Sequence, residues 1–174
     1  MPSKGNKPAL QMITLRSEDE LAFMRGIMFM LKPQISVEVG VYEGGSAKII
    51  KEHTKELHLF DTFGGIMSEH TEKGYPAGAY CGLLKDVQQC VGDAIYHIGD
   101  ICKTKTEIKK ANFVHIDLDV YKPLADCLPY FYGILDGVML VSNYDDVHPG
   151  VKRAIDEFKI KFKHKYSRFV VYGN

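Results

Sequence analysis

The residues best placed to do chemistry in this 174-residue chain stand directly after short apolar runs. Ile35 to Val39 carries Glu38 and is followed by Gly40-Val41-Tyr42-Glu43-Gly44-Gly45-Ser46. Leu57 to Phe60 leads into Asp61-Thr62-Phe63, and Ala94 to Ile98 into Gly99-Asp100. Asn112 to Ile116 ends on Asp117-Leu118-Asp119, and Val138 to Val141 on Ser142-Asn143-Tyr144-Asp145-Asp146. Gly40 permits a tight turn, and Gly44-Gly45 let backbone approach a ligand at a helix N-terminus. Asp61 follows Gly40 by 21 positions, where a carboxylate can accept from ribose hydroxyls. A carboxylate inside an apolar strand, as at Glu38, is costly without a partner, so it reads as functional.

Those runs must be strands for the groups to converge. They are short, β-branched and bounded by turn formers. Helical patterns alternate with them. Ser17-Glu18-Asp19-Glu20 has the form of a capping box ahead of a stripe Leu21, Met24, Met28, Leu31, closed by Lys32-Pro33. Gly44-Gly45-Ser46 opens a helix to about His53, and another spans about Leu83 to Val91. A stripe from Leu124 to Leu135 contains Pro129, which must kink or shorten its helix. Val151, Ile155, Phe158 and Phe162 predict a last long helix carrying Lys159, Lys161, Lys163 and Lys165 at its basic end, and Arg168 to Tyr172 predicts a final strand. Alternating strands and helices, with strands apolar on both faces, mean an α/β fold with a parallel sheet covered on both sides. Ligands of such sheets bind outside the carboxyl ends of the strands.

The ligand follows from the glycines. Dinucleotide sites use G-x-G-x-x-G, whereas the pattern here is G-x-x-x-G-G behind Glu38. An acid beside the loop disfavours a pyrophosphate and suits a cationic or zwitterionic ligand that contains a ribose. S-adenosylmethionine is such a ligand. A nicotinamide-dependent oxidoreductase and a cofactor-binding protein without turnover are the alternatives.

Four blocks in order, Val37 to Ser46, Phe60 to Gly65, His115 to Tyr121 and Pro149 to Phe158, resemble the macrocin O-methyltransferase family of class I S-adenosylmethionine-dependent methyltransferases. The resemblance implies a Rossmann-like sheet and methyl transfer to a hydroxyl of a small molecule, often a sugar of a natural product. It implies that Glu38, Gly40, Tyr42, Gly44, Gly45 and Ser46 line the methionine end, that Asp61, Thr62 and Phe63 hold the ribose, and that Gly99 and Asp100 lie near the adenine. It further implies a magnesium ion on Asp117 and on residues after the fifth strand, activating the acceptor oxygen. There the family's Asp-Asp-Tyr stands as Ser142-Asn143-Tyr144, which leaves the Asn143 carbonyl, with Asp145 or Asp146, to complete the set. Of the two acids Asp117 and Asp119 that follow this strand, Asp117 is the one expected to face the ligand. His148 is a candidate general base, while His97 and His115 read as core residues. The glycine-rich stretch from Phe63 to Tyr80 is a candidate lid. The sheet of this class ends in a β-hairpin. With one final strand visible, the expectation is a sheet lacking its last strand and a homodimer at the open edge.

The length fits one domain, 1–174, with residues 1–16 as a lead-in segment. Lys and Arg total 22, as do Asp and Glu, so the net charge is zero. That balance argues against a nucleic-acid partner bound through many phosphates. No apolar run approaches the ~20 residues of a membrane helix, and Met1 to Lys7 lack a signal-type apolar stretch. Cys81, Cys90, Cys102 and Cys127 show no paired metal-ligand spacing. A cytoplasmic protein without a membrane partner is expected.

Overall fold

The computed structural model describes residues 14–105 and 108–173. Residues 1–13 of the expected lead-in lie outside it. Seven strands form one sheet: β1 Ile35–Val39, β2 Glu56–Asp61, β3 Ile95–Ile98, β4 Ala111–Ile116, β5 Leu135–Val141, β6 His164–Tyr166 and β7 Phe169–Gly173. Their spatial order is β3-β2-β1-β4-β5-β7-β6. The first five are parallel, and β7 runs antiparallel to both β5 and β6. The connecting helices are α1 Glu18–Leu31, α2 Gly45–Lys51, α3 Leu84–Val91, α4 Ile101–Thr104, α5 Tyr121–Gly133 and α6 Pro149–Glu157.

The expected α/β architecture is present, because each central strand buries both faces. Val37, Val39, Ile116, Met139 and Val141 pack on one side with Leu124, Phe131 and Ile155. Leu57, Leu59, Phe113 and Leu140 pack on the other with Leu21, Met24, Met28 and Ile50. The Ser17 capping box opens α1 as expected, and Lys32 closes it in the left-handed region. Pro129 lies inside α5 without ending it.

Two expectations are corrected. The terminal hairpin is complete within the chain: β6 pairs with β7 around a two-residue turn, Ser167-Arg168. All three residues of β6 are exposed, so it carries no apolar pattern to reveal it, and its charged character suits an edge strand. The argument that a partner chain completes the sheet therefore lapses. The last helix also stops at Glu157, where Phe158 turns extended. Phe158 and Phe162 still reach the core, with ring centroids 5.8 and 6.4 Å from that of Tyr172. The apolar spacing was satisfied by a returning loop rather than by more helix, and the lysines beyond 158 fall in that loop and in β6. Among the described residues, no helix is long and apolar enough to cross a membrane.

Candidate functional site

The carboxyl ends of β1, β2 and β4 open into one cavity, where the order of strands reverses around β1 and β4. Gly40 has φ +83, and a Cβ there would lie 2.2 Å from the Asp117 carbonyl oxygen. Only glycine lets β1 turn this close to the end of β4. Asp61 secures the turn from the next strand. Its Oδ2 accepts from the Val41 and Tyr42 N–H groups at 2.6 and 3.0 Å, and its Oδ1 from Phe63 N–H at 2.7 Å. Three of roughly four lone-pair positions are thus used, leaving one for a ligand hydroxyl. Tyr42, Phe63, Tyr80 and Asn143 all take positive φ, a clustering of backbone strain that marks functional regions.

Of the residues expected at the ligand, Gly40, Tyr42, Gly45, Ser46, Asp61, Thr62, Gly99, Asp100 and Asp117 line the cavity. Gly44 is the N-cap of α2, packed on Val87 and Val91, and Phe63 lies beyond the lining. Glu38 is corrected. It is fully buried in the sheet, and its Oε1 meets His115 Nδ1 at 2.8 Å, while His115 Nε2 meets Ser142 Oγ at 2.8 Å. This row runs from β1 through β4 to the residue after β5. Glu38 Oε2 is buried with no hydrogen-bond partner, and Glu38 is not among the residues that line the cavity. Burial pushes its carboxyl above the usual range, with His115 opposing.

At the β3 end, Asp100 caps α4 by accepting from Cys102 N–H at 3.0 Å and meets His70 Nε2 at 3.2 Å. His70 also lines the cavity, and its Nδ1 is buried with no hydrogen-bond partner. A buried polar atom without a partner is costly, so it suits a polar ligand group. His70, Asp100 and Cys102 could meet a metal ion, since their ligand atoms lie within 4.8 Å of one another. Burial and Asp100 push the Cys102 thiol up to about 11, so an ion there would have to displace its proton.

The β4 end departs most from expectation. Arg16, from the supposed lead-in, lies on Asp117: Nε donates to Oδ2 at 3.2 Å and Nη2 to Oδ1 at 2.5 Å. Nη2 also donates to Asn143 Oδ1 at 2.8 Å. Asn143 Nδ2 donates to Asp117 Oδ1 and to Asp119 Oδ1, both at 3.0 Å. Asp119 lines the same cavity as Asp117. The expectation that only one acid faces the ligand is corrected: residues two apart in an extended segment share a face, and both acids follow the end of β4 at Ile116. Burial, then the neighbouring Asp117 charge, push the Asp119 carboxyl up to about 7, against Arg16 and Arg168.

His148 and Asp145 do not line the cavity. Asp145 Oδ1 accepts from the N–H groups of Val147 and His148 at 2.9 Å and meets His148 Nδ1 at 2.7 Å. His148 Nε2 then lies 3.7 Å from Asp119 Oδ1. The expected magnesium ligands Asp117, Asn143 and Asp145 therefore do not fit an ion: Asp117 and Asn143 are bonded to Arg16, and Asp145 to the turn that carries His148.

The expected lid roofs the cavity with Gly65, Ile66, Met67, His70, Ala79 and Tyr80. Glu72 Oε1 accepts from Tyr121 N–H, the first of α5, at 2.6 Å, and Tyr75 Oη donates to the Val147 carbonyl at 3.0 Å. Arg16, His70, Glu72 and Asp119 are the residues that sequence reading missed or set aside. Only Asp119 carried a signal, its place two residues beyond Asp117.

No family model matches the chain, and no curated protein matches it in sequence. In structure it is similar to the O-methyltransferase NovP, at 18% identity and a TM-score of 0.73 over 88% of this chain and 78% of that one. It is similar to CalS11, a calicheamicin methyltransferase, at 15% identity and a TM-score of 0.70 over 89% and 78%. A third likeness is to an O-methyltransferase from Bacillus cereus in complex with SAH, at 12% identity and a TM-score of 0.56 over 81% and 69%. At these identities the likeness establishes the fold, and the chain has the Rossmann-like α/β fold of class I methyltransferases.

Proposed function

We propose that the chain is an S-adenosylmethionine-dependent O-methyltransferase acting on a hydroxyl of a small molecule, with a sugar or natural-product glycoside as the acceptor class. The carrying observation is that one cavity holds both the Asp61-braced glycine turn and the Asp119 carboxylate, at the carboxyl edge of the sheet. The structural neighbours, O-methyltransferases among them, support the reading of activity and of acceptor class.

When bound, S-adenosylmethionine supplies a methyl group on a sulfonium. Its transfer to the acceptor would exchange the S–CH3 bond for an O–CH3 bond, with S-adenosylhomocysteine as the leaving group and the hydroxyl proton to be taken up by the protein. The cavity's own residues account for the remainder. The glycine turn and Asp61 would hold the donor's amino-acid and ribose portions, and Ile101, Phe60 and His70, which line the same cavity, would wall the base. Asp119 takes the acceptor proton. Asp117, fixed by Arg16, serves as a positioning residue, as does His148 behind Asp119. Most of the rate would come from alignment of the two substrates beneath the lid.

The test is calorimetric titration with S-adenosylhomocysteine and, separately, with NAD. Micromolar binding of the first and none of the second is expected. Absence of S-adenosylhomocysteine binding would sink the reading, and binding of NAD instead would favour the oxidoreductase.

A further inference from the structure

We propose that the Arg16 guanidinium is the built-in cation of this site, standing where the sequence suggests a divalent ion, so that the chain's chemistry runs without a metal. Three of the five guanidinium N–H groups are spent on the oxygens that an ion would need: two on Asp117 and one on Asn143 Oδ1. The side chain is 5% exposed, and its Cζ lies 5.8 Å from the centre of the Phe169 ring. It is therefore enclosed rather than resting at the rim.

The Asn143 amide supports the same assignment. Its Nδ2 faces Asp117 Oδ1, Asp119 Oδ1 and the Leu118 carbonyl, at 3.0, 3.0 and 3.4 Å. All three are acceptors, so the orientation of the amide is determined by its surroundings. An ion between the two carboxylates would meet amide hydrogens instead of lone pairs. It would also meet the positive charge of the Arg16 guanidinium. Hard divalent ions need several oxygens turned to one point, and that arrangement is taken up here.

A guanidinium cannot act as a magnesium ion does, because it only donates hydrogen bonds and takes no oxygen into a coordination shell. Its remaining nitrogen, Nη1, is buried without a hydrogen-bond partner, 3.9 Å from Glu20 Oε2. Arg16 is a positioning residue. It fixes the Asp117 carboxylate and sets the Asn143 amide against Asp119. Proton removal from the acceptor is left to Asp119.

The first half of the proposal, exclusion of the ion, is independent of the reaction. The second half, metal-free methyl transfer, rests on the methyltransferase reading. Manganese binding to the full chain, followed by electron paramagnetic resonance, tests the first half. Wild-type protein should bind no Mn2+ at this site up to millimolar concentration. Arg16→Ala should bind it at least tenfold more tightly than wild type, and a second change, Asp117→Asn, should abolish the gain. Stoichiometric binding by wild type that Asp117→Asn removes overturns the proposal. Should the alanine variant fail to fold, Arg16→Met keeps an apolar stem over Phe169 and is read in the same way. Methyl transfer by wild type should change less than twofold between EDTA and excess magnesium, whereas a tenfold loss in EDTA overturns the second half. If S-adenosylhomocysteine does not bind at all, the reaction reading fails while the manganese result still decides the first half.

Discussion

Arg16 and Asp117 are joined side-on by two hydrogen bonds across 101 residues of sequence. The pair ties the segment ahead of α1 to the end of β4, and both side chains are largely shielded, at 5% and 19% exposed. Removing one member of such a pair leaves the other buried without compensation, at a cost of about 3–5 kcal/mol. Asp117→Ala should therefore lower unfolding stability by roughly that amount, measured by urea titration. The double variant Arg16→Met, Asp117→Leu should recover most of the loss, and the cycle of the four proteins isolates the pairwise energy.

Asp119 is a carboxylate held at a cost. With its pKa raised from 3.8 to about 7, the folded state binds a proton that the unfolded state has released over that interval. Stability therefore falls as pH rises from about 4 to about 7 and stays reduced above it. Asp119→Asn removes the charge, so the variant should gain roughly 1–3 kcal/mol over wild type at pH 8 and nothing at pH 4. The same variant should lose about 10²-fold or more in kcat, the range for a proton-transfer group. Wild-type kcat/KM should rise through pH 7 with one proton released. A stabilised variant with full activity would show that the carboxylate takes no part in the chemistry.

How far each feature was legible follows from the range of the forces involved. The five parallel strands, the glycine turn and Asp61 were visible because a strand buried on both faces must be a short apolar run ended by turn formers. Strand β6 was invisible because His164, Lys165 and Tyr166 are all exposed, and backbone pairing at an edge asks nothing of side chains. Phe158 and Phe162 keep helical spacing but pack beside Tyr172 from non-helical backbone. Glu38 looked like a ligand because its partner, His115, lies on another strand in register with it. Arg16 could not be found for the same reason at greater distance: local sequence shows the Ser17 cap and nothing of Asp117 or Asn143.

Glu20 predicts the acid limb of stability. It closes the α1 capping box, and it also accepts from Ser167 Oγ at 3.0 Å and from Arg168 Nε and Nη2 at 3.1 and 3.0 Å, which fastens the β6–β7 turn to α1. Burial alone would raise its pKa, but the bonds from Arg168, Ser17 and Ser167 win and lower it from 4.5 to about 2. The contribution is whole above pH 4.5 and is lost as pH falls through about 2. Relative to Glu20→Gln, wild type should lead by roughly 3 kcal/mol at pH 6, and the lead should shrink to a few tenths at pH 2. A constant difference across that range would mean that the carboxylate charge contributes nothing.

The candidate lid is tied down where Glu72 fits between two helix N-termini. Its Oε1 takes the Tyr121 N–H at the start of α5, a favourable place for a negative charge. Its carboxylate also presses on Gly150 in the first turn of α6, where a Cβ would lie 2.2 Å from Oε2. Gly150 is helical, so alanine there is acceptable to the backbone and must act by displacing Glu72. Gly150→Ala and Glu72→Gln should therefore resemble each other: faster proteolysis within the stretch from Phe63 to Tyr80, a KM raised several-fold, and thermal unfolding changed little. S-adenosylhomocysteine should slow the cleavage of wild type more than that of either variant. Equal cleavage rates with and without it in wild type would remove the lid from the mechanism, leaving Glu72 as a tie between α5 and α6.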